Sequence, residues 1–184
     1  MLTSMMDRCT GNVGWGAVSY FAMSIYQTAA LKPPHLKAIM PWEGISDIYR
    51  EVNAPGGIPN VAFQQLWMDM TGNGLGESED HAVACIEHPT FDEMWQSKVV
   101  DWSLIDVPAF SVTGWASLGL HLRGTIEAWQ QFSSPHKYLM VHVSLIIVPQ
   151  KSFHKKADSH HIGWQGMERV LPRRKYFATE KLLR

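Results

Sequence analysis

With 184 residues, 46% of them hydrophobic and eight of them tryptophan, the chain is long enough for one buried core and too apolar to be disordered. A net charge of −1 gives no global case for nucleic acid or an anionic membrane as partner. Two cysteines, Cys9 and Cys85, frame neither a disulfide scaffold nor a metal motif, so no cofactor or metal is expected.

No apolar run approaches the roughly 20 residues of a spanning helix. The opening Met1 to Gly11 lacks the long apolar region of a secretory signal, so the expected compartment is cytoplasmic. Charge is spread unevenly. Residues 1–150 hold seven Lys/Arg and fourteen Asp/Glu, whereas 151–184 hold nine and three. The last stretch reads as a basic, poorly ordered tail.

Val13–Val18 is a short apolar run, expected to form a buried strand. Tyr20–Leu31 follows at once with helix length, and Pro33-Pro34 stops it. Ser19 is pinned between the two, which is the layout of a nucleophile elbow: a sharp turn lifts the hydroxyl clear of the sheet. The usual frame is Gly-x-Ser-x-Gly. Here it is Ala17-Val18-Ser19-Tyr20-Phe21, with a bulky residue in the last position and Ala22 one step beyond. The bland alternative is a serine capping the helix that follows.

Leu36–Met40 is a second strand, ending at Pro41-Trp42. Gly44, Pro55, Gly56, Gly57 and Pro59 then mark loops. Short helical pieces are expected at Ser46–Val52, Val61–Met70 and Pro89–Val99. Val107–Gly114 is a third strand. His121–Phe132 is a helix with Leu122, Ile126, Trp129 and Phe132 on one face, and Ser133, Ser134 and Pro135 break it. Tyr138–Val148 is a fourth strand.

Strand–helix–strand, a helical insertion, then strand–helix–strand implies a mainly parallel, doubly wound α/β sheet. The expected organisation is a sheet domain over 1–150, with a helical cap inserted at about 45–104, and the tail over 151–184.

Several segments in order resemble one family. They are Gly11 to Gly14, Ser19-Tyr20, Ala22 to Ser24, Pro34 to Ile39, Pro41-Trp42-Glu43-Gly44, Ser46 to Arg50 and Gly56 to Pro59. The series continues with Ile105 to Ala109, Gly114-Trp115, Gly119 to Gly124 and Ser134 to Leu139. Over about 11–144 the chain resembles the cocaine esterase / Xaa-Pro dipeptidyl-peptidase family of α/β-hydrolases. The resemblance implies a partial α/β-hydrolase fold, its carboxyl half, and hydrolysis of small ester or peptide substrates by a Ser-Asp-His triad.

Carried over residue by residue, Ser19 matches the nucleophile and the Tyr20 N–H supplies an oxyanion donor. His142, close to where the family's histidine follows the last strand, is the candidate base. The family's acid follows the strand that ends near Gly-Trp, yet Ala116, Ser117 and Leu118 stand there. No Asp occurs between Asp106 and Asp158, and Glu127 lies within a helix. Asp47, in the loop after the second strand, is the candidate replacement, against a structural hydrogen bond to the loop at Tyr49 and Arg50.

His121 reads as a surface or hinge residue, and His154, His160 and His161 as tail. The family's strands before the elbow and its carboxyl-terminal β-sandwich have no counterpart in this sequence. An inactive truncated relative is therefore one alternative. A binding module built on the tryptophan-rich cap (Trp42, Trp67, Trp95, Trp102) is another, and a partner chain is unknown.

Overall fold

The computed structural model describes residues 11–71 and 79–143. Four parallel strands form one sheet in chain order: β1 (Val13–Val18), β2 (Leu36–Trp42), β3 (Ala109–Gly114) and β4 (Lys137–His142). The expected run of β4 beyond Ser144, the tail with its three histidines, and the first ten residues lie outside the described residues.

Parallel neighbours need helical crossovers. Helix α1 (Tyr20–Ala30) links β1 to β2, and α5 (Leu122–Gln131) links β3 to β4. The long β2–β3 connection carries a π-helical turn at Tyr49–Asn53, then α2 (Val61–Thr71), α3 (His81–Glu87) and α4 (Glu93–Gln96). Pattern reading missed α3, whose start is fixed by Asp80: its side chain accepts from the N–H groups of Ala82 and Val83. The piece expected at Pro89–Val99 is only the single turn of α4, because Asp92 caps it from within.

The main core is aromatic and aliphatic. Ile25, Tyr26 and Ala29 of α1 meet Ile39 of β2, Trp102, Ile105 and Ala109, with Ala128 and Phe132 closing the other side. Tyr26 stands edge-on to Trp102 with ring centroids 5.2 Å apart, a geometry worth about 0.5–1.5 kcal/mol beyond simple burial. A second cluster sits in the β2–β3 connection, where Trp95 packs with Tyr49, Ala54 and Ala84. Trp95 and Trp102 are therefore packing residues.

β1 differs from expectation. It was read as buried, but its residues alternate between half-buried and exposed. Among the described residues its only strand partner is β2, and no strand pairs with its other side.

Candidate active site

In an open parallel sheet the crevice at the carboxyl ends of the strands is where chemistry collects. Register places those ends side by side: Val18 opposite Trp42, Trp42 opposite Val112, and Gly114 opposite His142. Ser19 leaves β1, Glu43 leaves β2, the Trp115–Ser117 turn leaves β3, and His142 ends β4. Four chain segments far apart in sequence thus deliver side chains to one edge.

Ser19 sits at φ 57°, ψ −123°, a left-handed conformation uncommon for a residue with a Cβ. Such a residue costs about 1–3 kcal/mol and persists only where its surroundings impose it. Here the imposing contacts are backbone bonds: the Ser19 N–H donates to Trp42 O at 2.8 Å and Ser19 O accepts from the Ala22 N–H at 2.9 Å. The missing glycine of the elbow frame is explained by direction. Phe21 turns outward and is 67% exposed, while Ala22 is completely buried. The small residue needed beneath the turn is Ala22.

The helix-cap alternative fails, since the Ser19 side chain makes no capping hydrogen bond to α1. Its Oγ lies 3.4 Å from Nε2 of His121 instead. Tyr20 opens α1, so its N–H is one of the first-turn donors without an intrahelical carbonyl.

His121 corrects the sequence reading. It is neither a surface nor a hinge residue, being only 3% exposed, just before α5. Burial pushes its pKa down to about 4, and its Nδ1 has no hydrogen-bond partner among the described residues. It is a neutral imidazole that touches the serine, and no described residue pairs with its Nδ1 to hold a positive charge. No pattern marked it, because it enters from a loop whose path depends on the whole sheet.

His142 lies on the same edge, its ring edge-on to Trp42 at 5.7 Å. Its Nε2 is 3.8 Å from Oε1 of Glu43, and burial lowers its pKa. Glu43 is fully buried and, like Ser19, adopts a left-handed backbone at φ 55°. Burial raises its pKa, opposed by hydrogen bonds from Ser117, Thr113 and the Gly114 backbone. In the sequence Glu43 stands out only as part of a family segment, since one acidic residue beside a glycine carries no signal of burial.

Asp47 is not brought to either imidazole. Its Oδ1 accepts the Arg50 N–H at 3.0 Å, and its Oδ2 pairs with the Arg50 guanidinium. It closes the turn that begins the π-helical segment. Beyond it, a cavity of about 500 Å³ is lined by Tyr49, Arg50, Ala54, Leu118, Leu120 and Arg123. Its Leu118–Leu120 wall is the segment that leads into His121.

A strand–Ser–helix elbow at the carboxyl edge of a parallel sheet, with imidazoles beside it, defines an α/β-hydrolase fold. The comparisons agree. Residues 2–84 match the model of the X-Pro dipeptidyl-peptidase (S15) family. Cocaine esterase of Rhodococcus sp. is 37% identical over 75 residues, 40% of this chain and 13% of that protein.

The crystal structure of a CocE/NonD family hydrolase from Staphylococcus aureus superposes with a TM-score of 0.76 at 33% identity. That match covers 91% of this chain and 30% of that one. An acylaminoacyl peptidase of Pyrococcus horikoshii shares the fold at 12% identity and a TM-score of 0.56, over 94% of this chain and 26% of its own. The chain is thus similar to cocaine esterase, X-Pro dipeptidyl-peptidase and CocE/NonD hydrolases, with an α/β-hydrolase fold, and it spans less than a third of the length of these proteins.

Proposed function

We propose that the chain performs nucleophilic acyl transfer, with Ser19 as nucleophile and a small ester or peptide as substrate. The observation that carries this reading is the Ser19 conformation: a left-handed, uncapped serine between β1 and α1, its hydroxyl turned to an imidazole. Ser19 Oγ attacks the carbonyl carbon and loses its proton to an imidazole. The oxyanion is held by the Tyr20 N–H. Collapse expels the leaving group, which takes that proton, and water then releases the acyl group by the same route.

His142 is the base in this reading, because it alone of the two imidazoles faces a carboxyl group. His121 then orients the hydroxyl. The 3.4 Å contact supports a second reading in which His121 takes the proton directly. Fluorophosphonate labelling of the folded chain, with the adduct located by mass spectrometry, tests both. An adduct on Ser19 that disappears in Ser19→Ala is expected, with labelling much slowed in His142→Ala. Loss in His121→Ala with labelling retained in His142→Ala transfers the base to His121. No adduct on Ser19 of a folded chain refutes acyl transfer.

A further inference from the structure

We infer that Glu43 is the positioning acid of this site: it orients His142 and stabilises the imidazolium formed when Ser19 attacks. The inference rests on the acyl-transfer reading with His142 as base.

The carboxyl group of Glu43 is prepared for a cation. Thr113 Oγ1 lies 3.1 Å from Oε2 and Ser117 Oγ 3.1 Å from Oε1, and both hydroxyls donate into it. The backbone N–H of Gly114 donates as well. An amide N–H only donates, so the set favours a carboxylate over a carboxylic acid, against the burial that favours the neutral form. Oε1 also faces His142 Nε2 at 3.8 Å. That nitrogen is buried and has no hydrogen-bond partner among the described residues. A buried acceptor group and a buried orphan nitrogen are thus aimed at each other across a gap that a proton on the imidazole would close.

The backbone serves the same end. Glu43 holds a left-handed φ directly after Trp42, whose carbonyl fixes Ser19, and its own N–H donates to Val112 O at 2.7 Å. Nucleophile and acid are therefore two strained residues at the ends of adjacent strands, joined through one peptide. Their order along the chain, Ser19, Glu43, His142, is that of α/β-hydrolase triads. Ser117, in the turn after β3, supplies a hydroxyl to the acid that β2 provides.

Two readouts test the role. The first is the His142 titration followed by the imidazole resonances in wild type and Glu43→Gln. Removing the carboxylate is expected to lower the His142 pKa, whereas an unchanged titration overturns the pairing. The second is the rate of fluorophosphonate labelling at Ser19. Glu43→Gln is expected to slow it by as much as about 10⁴-fold, the scale for loss of the orienting acid in a serine triad. Glu43→Asp should retain part of the rate.

Ser117→Asp in the Glu43→Gln background places a carboxylate at the same spot and should recover labelling, which a purely structural role for Glu43 would not predict. Labelling of Glu43→Gln at the wild-type rate overturns the inference while Ser19 still labels. A wild type that does not label at all overturns the acyl-transfer reading, and with it any hydrolytic role for Glu43, even where the His142 titration still responds. If Glu43→Gln fails to fold, Glu43→Asp, which draws the carboxyl group back from Nε2, must lower the His142 pKa.

Discussion

Gly124→Ala sets two physical effects against each other, and the structure decides the sign. Gly124 is in α5 with ordinary helical backbone, so propensity alone predicts a gain of about 1 kcal/mol for alanine. The space is taken, however. A Cβ there would stand 2.0 Å from Oε2 of Glu51, 2.7 Å from its Cδ and 2.8 Å from the backbone nitrogen of Ser46. Glu51 cannot simply swing away. It is buried and accepts from the Ser46 N–H at 2.8 Å, the Ser46 hydroxyl at 2.6 Å and Arg123 at 2.9 Å.

Either α5 lifts off the sheet or this buried carboxylate loses partners. Overpacking costs about 1–3 kcal/mol, and a hydrogen bond to a charged group about 1.5–3 kcal/mol. Loss of one such bond on top of the overpacking outweighs the propensity gain, leaving a net destabilisation of about 2 kcal/mol or more. In urea unfolding followed by tryptophan fluorescence, with a slope of about 2 kcal/mol per M, the midpoint should fall by roughly 1 M. Gly119, where a Cβ would meet nothing within 4 Å, is the control, and Gly119→Ala should leave the midpoint in place. A higher midpoint for Gly124→Ala would refute the account of a rigid, fully committed Glu51.

Tyr26→Phe should raise stability by about 1 kcal/mol, since the Tyr26 hydroxyl is buried without a partner among the described residues. A lower thermal midpoint for this variant would show that the hydroxyl is satisfied. The acid limb of stability should depend on His121. Its folded pKa of about 4 lies below the unfolded value of about 6.5, so the native state binds fewer protons in that window. Its contribution of up to about 3 kcal/mol is complete above pH ~6.5 and is lost as pH falls towards ~4. Glu43 and Glu51, with raised pKa values, act in the opposite direction. The difference between wild type and His121→Gln isolates the histidine, and a difference that stays flat from pH 7 to 4 would refute its burial as a neutral group.

The strands and the two crossover helices were legible because apolar length, Pro33-Pro34 and the Ser133 to Pro135 break are local signals. The apolar run Val13–Val18 coincides with the bounds of β1. Proline argues against a strand, so the sequence ends β2 at Met40, yet it runs through Pro41 to Trp42. The elbow was legible in Ser19, though not the means by which Phe21 is accommodated.

Asp47 carries the stronger local pattern in the loop after β2, but it is committed to Arg50, and the carboxyl group that faces His142 is that of Glu43. Glu43 is singled out only by tertiary facts: its complete burial, its backbone strain and hydroxyls 70 and 74 residues away. His121 was misread for the same reason, since its contact with Ser19 spans 102 residues.

That the spatial order of strands follows the order of the chain has a consequence for how the molecule comes to exist. Each strand is laid down beside the one synthesised just before it, so the sheet can grow in one direction as the chain emerges, without waiting for a distant segment to be inserted. The bond from Ser19 to Trp42 forms with the first pairing, so the strained turn is set early, while β4 brings His142 to Glu43 last. On the acyl-transfer reading with His142 as base, a nascent chain would hold a shaped but unarmed serine until β4 docks, and reactivity at Ser19 would report that β4 has been added.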